Sequence, residues 1–296
     1  MMVRSLRALA AALALGLASA CSGEAAAPPP AAADVAAPAA ATAVDFADLE
    51  SAFDARLGLY AVDTGTGREV AFRAEERFAY CSTIKVPLVA SLLRRGDDLD
   101  TVLTYTPGDV VPNSPVTADR TSVTLRQAAE AALTLSDNTA ANLMFRELGG
   151  PEALSGFLRS IGDATTHPDR IETDLNSAVP GDIRDTTTPR AMASTLRALA
   201  LGDVLPAAQR DLLTGIMRSS TTGTDLVRAG VPADWGVADK TGAGMYGTRN
   251  DIAVVWPPGR APIVIAALTS RTTEDADYVE ELVARATERA VAALTG

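Results

Sequence analysis

The sequence predicts a fold of the mixed α/β (α+β) class with two subdomains. One is an antiparallel sheet, built from both ends of the folded region and flanked by helices, and the other is an all-helical insert. Strand-like segments occur near both ends of the folded region, whereas the stretch from Ser82 to about Met217 has helical periods broken by loops. We therefore expect a cleft where the insert meets the sheet, with a candidate active site between the two parts.

The elements of the sheet part are predicted from apolar spacing and turn signals. Residues 45–54 place their large apolar side chains on one face, which indicates a short amphipathic helix. Residues 57–62 and 69–72 have the composition of strands, and the Thr-Gly-Thr-Gly sequence between them is typical of a hairpin. Further strands are predicted at residues 236–240, 251–256 and 262–269, followed by a last amphipathic helix at 274–294.

The elements of the insert are predicted from helical spacing. Apolar residues recur there at intervals of three and four residues, as on one face of an α-helix. Glycine, proline and aspartate separate these stretches. The predicted helices cover residues 85–94, 125–134, 139–147, 151–161, 189–201 and 207–217.

The first 20 residues are expected to be an export signal. Two arginines precede an apolar run that ends in small residues, and this run is too short to span a bilayer. Cys21 follows directly, in a pattern similar to the lipobox of bacterial lipoproteins, with the usual leucine one place early at Leu17. We expect acylation of Cys21, which would anchor the exported chain to the outer face of the cytoplasmic membrane. The alternative is cleavage near Ala20 and a secreted or periplasmic product.

A spacer is predicted to separate this signal from the folded region. Residues 21–44 are mostly alanine and proline, a composition that cannot build a core and that suits a semi-extended linker. We expect one folded domain over residues 45–296, without internal repeats and monomeric. Apolar residues make up 47% of the chain, which is enough for a substantial core.

Charge and composition exclude several classes of protein. The chain has 37 acidic against 26 basic residues, so nucleic-acid binding is not expected. One histidine, His167, and two cysteines, Cys21 and Cys81, exclude a disulfide framework and a zinc site of the usual kind, and we expect no metal or cofactor. Lysine occurs only at Lys85 and Lys240. A buried ammonium can lose its proton whereas a guanidinium cannot, so these two lysines are candidates for chemistry.

Ser82 and Lys85 are placed where the sheet gives way to the first helix of the insert. Side chains three residues apart share a face at a helix start, so the Ser82 hydroxyl and the Lys85 amine can meet. A desolvated lysine can take the proton of a serine nucleophile, and the helix dipole favours an oxyanion near the Ser82 amide. The alternative is an N-capping serine followed by a solvated lysine.

A second cluster, Ser136-Asp137-Asn138, opens the helix predicted from residue 139. These residue types are preferred helix caps, which is one interpretation of the cluster. In the functional interpretation Ser136 is a second hydroxyl that shuttles protons, and the amide of Asn138 holds a substrate carbonyl.

A third cluster, residues 240–244, ends a predicted strand at the second junction. Lys240 and Thr241 offer a cation and a hydroxyl to a substrate carboxylate. Gly242 and Gly244 allow a ligand to approach the strand edge and bond to its backbone. The alternative is an ordinary strand end with a glycine bulge.

Ser-x-x-Lys, Ser-Asp-Asn and Lys-Thr-Gly, in this order, are the motifs of class A β-lactamases and penicillin-binding proteins. The chain resembles a class A serine β-lactamase over residues 45–296. The resemblance implies a serine β-lactamase-like fold and hydrolysis of penicillin-type β-lactams through an acyl-enzyme, which confers antibiotic resistance. It implies that Ser82 attacks the ring and that Ser136 passes a proton to the leaving nitrogen. Lys85, or Glu172 through a water, would remove the serine proton.

Residues 170–176 resemble the Ω-loop of that family. By this resemblance Glu172 and Asn176 hold the water that cleaves the acyl-enzyme, and Arg170 forms a salt bridge with Asp185. Penicillin-binding proteins lack the glutamate and release the acyl group very slowly, so Glu172 favours a hydrolase over a D,D-peptidase or penicillin-binding protein. A rival of another class, a non-catalytic β-lactam sensor or cell-wall-binding lipoprotein, would not need Glu172.

The same resemblance assigns the rest of the substrate site. Arg249, with Lys240 and Thr241, would bind the substrate carboxylate. The backbone amides of Ser82 and Ala243 would form the oxyanion hole.

Two departures from the family pattern concern the rim of the cleft, and a third concerns a disulfide. Asn113 stands where an aromatic wall is usual, and the loop after Thr117 is two residues short. Gly244 takes the position that would pair with Cys81 in carbapenem-hydrolysing relatives, so we expect no disulfide there. Arg249 and the absence of a partner for Cys81 predict chiefly penicillinase activity with poor turnover of carbapenems.

Overall fold

A computed structural model of the protein describes residues 44–296. The predicted export signal, Cys21 and almost all of the alanine- and proline-rich spacer lie outside the described residues. Within them, no helix has the length and apolar character needed to cross a membrane.

A five-stranded antiparallel sheet joins the two ends of the folded region, as predicted. The strands are β1 (Arg56–Asp63), β2 (Glu69–Phe72), β3 (Phe78–Ala79), β4 (Val102–Thr104), β5 (Ser122–Thr124), β6 (Thr186–Thr187), β7 (Gly236–Gly244), β8 (Thr248–Trp256) and β9 (Ile263–Ser270). In the sheet they run in the order β2-β1-β9-β8-β7, and the pairing of β1 with β9 places Leu59 opposite Ala267. Two short pairs, β3–β6 and β4–β5, lie outside this sheet.

The helices cover both faces of the sheet because its strands bury side chains on both sides. The helices are α1 (Ala47–Phe53), α2 (Lys85–Arg95), α3 (Leu125–Thr134), α4 (Asn138–Leu148), α5 (Pro151–Ser160), α6 (Pro189–Ala200), α7 (Ala207–Arg218) and α8 (Glu280–Thr295). Along β1, Leu57 and Leu59 pack in one apolar cluster with α1 and α8, while Tyr60 and Val62 pack in the larger cluster with the remaining helices.

Helix α2 lies inside the helical part, and all of its residues from Lys85 to Leu93 are buried. A helix that is apolar around most of its circumference belongs in a core. Its first residue is Lys85, so that lysine is carried into the interior with the helix. The two-subdomain prediction, with motifs at the junctions, is confirmed.

Three predicted boundaries were wrong by three residues or more. Strand β8 begins at Thr248 instead of residue 251. Strand β7 continues to Gly244 instead of ending at Lys240, because Thr241 to Gly244 stay paired with β8. The last helix begins at Glu280 instead of residue 274. The Glu274 carbonyl accepts a hydrogen bond from the Tyr246 amide, which ties this segment to the turn between β7 and β8.

Candidate active site

The nucleophile candidate lies on a single tight turn ahead of α2. Ser82 belongs to a 3₁₀-helix, Cys81–Ile84, and Lys85 follows as the first residue of α2. The Lys85 Nζ atom lies 3.0 Å from Ser82 Oγ, and both residues are buried. The contact predicted from their three-residue spacing is present, and the capping alternative for Ser82 is wrong, since its side chain caps no helix.

Lys85 is the centre of a buried polar cluster. Its Nζ lies 2.8 Å from the Ser136 carbonyl oxygen, 2.7 Å from Asn138 Oδ1 and 2.9 Å from Glu172 Oε1. Burial lowers the pKa of Lys85 below its ordinary value, and the negative charge of Glu172 opposes that shift. The lysine thus combines full burial with a carboxylate neighbour, the setting in which an amine can exchange its proton.

The Ser136-Asp137-Asn138 turn caps a helix and also contributes a hydroxyl to the site. Asp137 is the N-cap of α4, where it accepts from the Ala140 amide at 2.8 Å. Ser136 adopts a left-handed backbone conformation (φ 59°), and its hydroxyl lies 3.0 Å from Lys240 Nζ and 3.3 Å from Lys85 Nζ. The serine hydroxyl therefore lies between the only two lysines of the chain.

Strand β7 forms the opposite side of the site. Burial, reinforced by the positive charge of Lys85, lowers the pKa of Lys240 to about 7. Thr241 Oγ1 lies 2.7 Å from Thr222 Oγ1. A Cβ at Gly242 would lie 2.8 Å from the Tyr80 carbonyl oxygen, so only glycine lets the strand pass this close to the nucleophile turn.

Gly242 also places Ala243 beside the nucleophile. The Cβ that a side chain would add at Gly242 lies 3.3 Å from the Ser82 amide nitrogen. Ala243 follows in the strand, paired with Arg249 of β8. The two amides expected to form the oxyanion hole therefore belong to segments in close contact.

The Ω-loop brings a carboxylate to the serine. Glu172 Oε1 accepts a hydrogen bond from Ser82 Oγ at 3.3 Å, and Glu172 Oε2 accepts from Asn176 Nδ2 at 2.5 Å. The predicted Arg170–Asp185 ion pair is present, with Nε and Oδ2 2.5 Å apart. The peptide bond between Glu172 and Thr173 is cis. Glu172 is thus shared among Ser82, Lys85 and Asn176.

Sequence reasoning missed the residue that fixes Glu172. Asn142 Oδ1 accepts from the Glu172 amide at 2.9 Å, and Asn142 Nδ2 donates to the Glu172 carbonyl at 2.8 Å. Asn142 lies four residues after Asn138 in α4, so both amides lie on one face of the helix. The four-residue spacing of Asn138 and Asn142 is the sequence signal that could have identified Asn142 as a site residue.

Arg249 is paired with a carboxylate of the same chain, a contact that the sequence did not predict. Its guanidinium donates to Glu280 Oε1 at 2.6 Å and to the Thr222 carbonyl at 3.1 Å, and it lies 5.0 Å from the centre of the Tyr278 ring. The arginine adjoins the β7 site through Thr222 but is already paired with a carboxylate.

Cys81 is a buried free thiol, and burial raises its pKa above the ordinary value. A Cβ at Gly244 would lie 2.7 Å from Cys81 Sγ, so the two positions are in contact as expected. Among residues 44–296, no group of three or more His, Cys, Asp or Glu side chains could hold a metal ion. The side chains in contact with Ser82 and Lys85 offer hydroxyls, an amide and the Glu172 carboxylate.

Comparison with known proteins gives the same picture. The profile of the family described as "Beta-lactamase enzyme family" matches residues 41–294. The chain is 52% identical over 250 residues to a β-lactamase of Bacillus amyloliquefaciens, covering 83% of this chain and 82% of that one. It is 48% identical over 256 residues to the carbapenem-hydrolysing β-lactamase KPC of Klebsiella oxytoca, covering 84% and 87%. The crystal structure of a halotolerant bacterial β-lactamase superposes with a TM-score of 0.83 at 49% identity, covering 86% of this chain and all of that one.

The fold and the site define a serine hydrolase in which a buried lysine and a loop carboxylate both reach the nucleophile. The chain belongs to the β-lactamase enzyme family, in its class A serine branch. It is a hydrolase that acts on β-lactams.

Proposed function

We propose that Ser82 opens the β-lactam ring and becomes the acylated residue of a two-step hydrolysis. The observation that carries this proposal is the position of Ser82 Oγ, 3.0 Å from Lys85 Nζ and 3.3 Å from Glu172 Oε1. Lys85 is within direct reach of the serine proton, since a general base must approach to about 2.6–3.2 Å or act through one water. Glu172 lies just beyond that range and can act through one water. The proton goes to Lys85 or to Glu172. The two side chains are 2.9 Å apart and can share it.

Ser136 then returns a proton to the leaving nitrogen. Its hydroxyl contacts Lys85 and Lys240, and either lysine can resupply the proton that Ser136 gives up. The nitrogen leaves as a secondary amine, and the acyl group remains on Ser82.

Glu172 activates the water that cleaves the acyl-enzyme. Glu172 Oε1 faces Ser82, and the Asn176 amide orients the other carboxylate oxygen of Glu172. A water held by Glu172 and Asn176 would therefore be directed at the ester carbonyl of the acylated Ser82. A hydrolase needs this second base, whereas a penicillin-binding protein does not.

Lys240, Thr241 and Arg249 bind the carboxylate of the substrate, and Asn138 holds a side-chain carbonyl. The amides of Ser82 and Ala243 stabilise the oxyanion, a contribution worth roughly 10²–10³-fold in rate for each donor. Gly242 keeps the strand edge open for this binding mode. We propose penicillins as the preferred substrates.

Turnover of nitrocefin by the purified protein tests this function. We expect many turnovers per enzyme and none from Ser82→Ala. A single burst that matches the enzyme concentration would indicate a penicillin-binding protein, and binding without any burst would indicate a sensor.

We further propose that the chain is exported and that Cys21 is acylated, on the strength of the sequence pattern before it and the spacer after it. The protein should then partition with membranes as a monomer, and Cys21→Ala should appear in the medium or periplasm. Equal membrane retention of the variant would contradict the anchor.

A further inference from the structure

Asn113 contacts the active-site turn through both its backbone and its side chain. Its carbonyl oxygen accepts from the Asn138 amide at 3.0 Å, and its Nδ2 donates to the Ser136 carbonyl at 3.2 Å. The same Ser136 carbonyl also accepts from Lys85 Nζ at 2.8 Å. The peptide after Ser136 is therefore held by two donors from different parts of the chain.

The backbone conformation explains why asparagine suits this position. Asn113 has a left-handed backbone (φ 60°), a conformation in which asparagine and glycine are favoured and bulky residues are rare. Ser136 is left-handed as well (φ 59°), so the direction of its carbonyl depends on an unusual conformation that something must hold. Asn113 supplies a hydrogen bond at that carbonyl.

We infer that Asn113 is a positioning residue that fixes the Ser136 carbonyl and thereby keeps the Ser136 hydroxyl between Lys85 and Lys240. The inference rests on the proposed proton transfer by Ser136 and adds a residue that acts through it. Without the Asn113 side-chain amide, Lys85 is the one remaining donor to the Ser136 carbonyl, while the Asp137 amide at the other end of the peptide still donates to the Ala131 carbonyl. The Ser136 hydroxyl then spends less time within reach of both lysines, and ring opening slows while hydrolysis of the acyl-enzyme, which uses Glu172, does not.

Two substitutions remove the amide and keep the backbone conformation. Asn113→Gly tolerates the left-handed φ, and Asn113→Asp keeps the shape but replaces the donor with a carboxylate. Asp119→Asn, in the same loop, changes an exposed side chain that has no hydrogen bond to the turn and is the matched control. Thermal unfolding of each variant verifies that the loop change leaves the fold intact.

Steady-state and single-turnover kinetics with benzylpenicillin test the inference. We expect kcat/KM to fall about five- to twentyfold in both Asn113 variants, the size of one lost hydrogen bond or slightly more. The deacylation rate constant and the Asp119→Asn variant should match the wild type. In a Ser136→Ala background, Asn113→Gly should cause no further loss, because the hydroxyl it positions is gone.

Three outcomes overturn the inference, and they are distinguishable. Full activity of both Asn113 variants with an impaired Ser136→Ala would leave the proposed function intact and remove Asn113 from it. An undiminished loss in the Ser136→Ala background would mean that Asn113 acts elsewhere. Wild-type activity of Ser136→Ala itself would refute the proposed proton transfer and the inference together.

Discussion

Glu172→Gln should separate ring opening from hydrolysis of the acyl-enzyme. The substitution keeps the volume of a side chain that is completely buried and removes its charge and its basicity. Loss of a positioned general base lowers a rate by about 10²–10⁴-fold, so hydrolysis should slow by that factor while the Ser82–Lys85 contact persists.

The surrounding contacts predict that the variant folds. The single carbonyl oxygen of the glutamine can accept from Lys85, which leaves its NH2 group facing Asn176. Asn176 now donates to Glu172 with its Nδ2, and its Oδ1 is buried without a hydrogen-bond partner. A flip of the Asn176 amide would present this oxygen to the new NH2 group, and Nδ2 would then take the position in which Oδ1 now has no partner. The Asn176 amide is left with one unpaired atom, as before.

The same substitution distinguishes the two candidate bases for acylation. The charge of Glu172 raises the pKa of Lys85, so its removal lowers that pKa further and makes neutral lysine more abundant. If Lys85 is the base, adduct formation should remain fast and extend to lower pH. If Glu172 is the base, adduct formation should slow together with hydrolysis.

Intact-protein mass spectrometry after addition of benzylpenicillin is the assay. We expect a covalent adduct of one penicillin on Glu172→Gln within minutes, little adduct on the wild type, and none on Ser82→Ala. Turnover by Glu172→Gln at the wild-type rate without an adduct would refute the hydrolytic role of the Ω-loop. The distinction from a penicillin-binding protein would then lose its main support.

Three further predictions concern substrate binding. Burial lowers the pKa of Lys240 to about 7, so its ammonium is lost as pH rises through that value. Above that pH, kcat/KM for penicillins should fall about tenfold per pH unit. Lys240→Arg stays charged and should abolish this dependence. Glu280 forms an ion pair with the guanidinium of Arg249 at 2.6 Å, so Glu280→Gln should free the arginine and lower KM for penicillins by about two- to tenfold. The control Glu281→Gln, at an exposed neighbour, should leave KM unchanged. An unchanged KM in Glu280→Gln would mean that Arg249 does not bind substrate. Benzylpenicillin should be a much better substrate than imipenem, and equal kcat/KM values would contradict the proposed penicillin preference.

The sequence by itself determined the architecture and most of the site. Strand-like composition and turn signals located the main strands, and helical spacing located the helices, because an amphipathic helix repeats its buried face every three to four residues. The three-residue spacing of Ser82 and Lys85 implied their contact, since a helical turn fixes which side chains meet. The order of the motifs identified the family to which the chain belongs.

The tertiary structure decided the contacts between residues that are distant in the chain. Asn142 brackets Glu172, Glu280 pairs with Arg249, and Asn113 holds the Ser136 carbonyl. None of these pairs follows a local period, because each joins segments that meet only after the sheet and the helical insert have packed together. The left-handed backbone of Ser136 was equally hidden, since a helix cap, which Asp137 does form, does not require that conformation of the residue before it. Local spacing therefore fixed which groups the site contains, and packing of distant segments fixed how each group is oriented and paired.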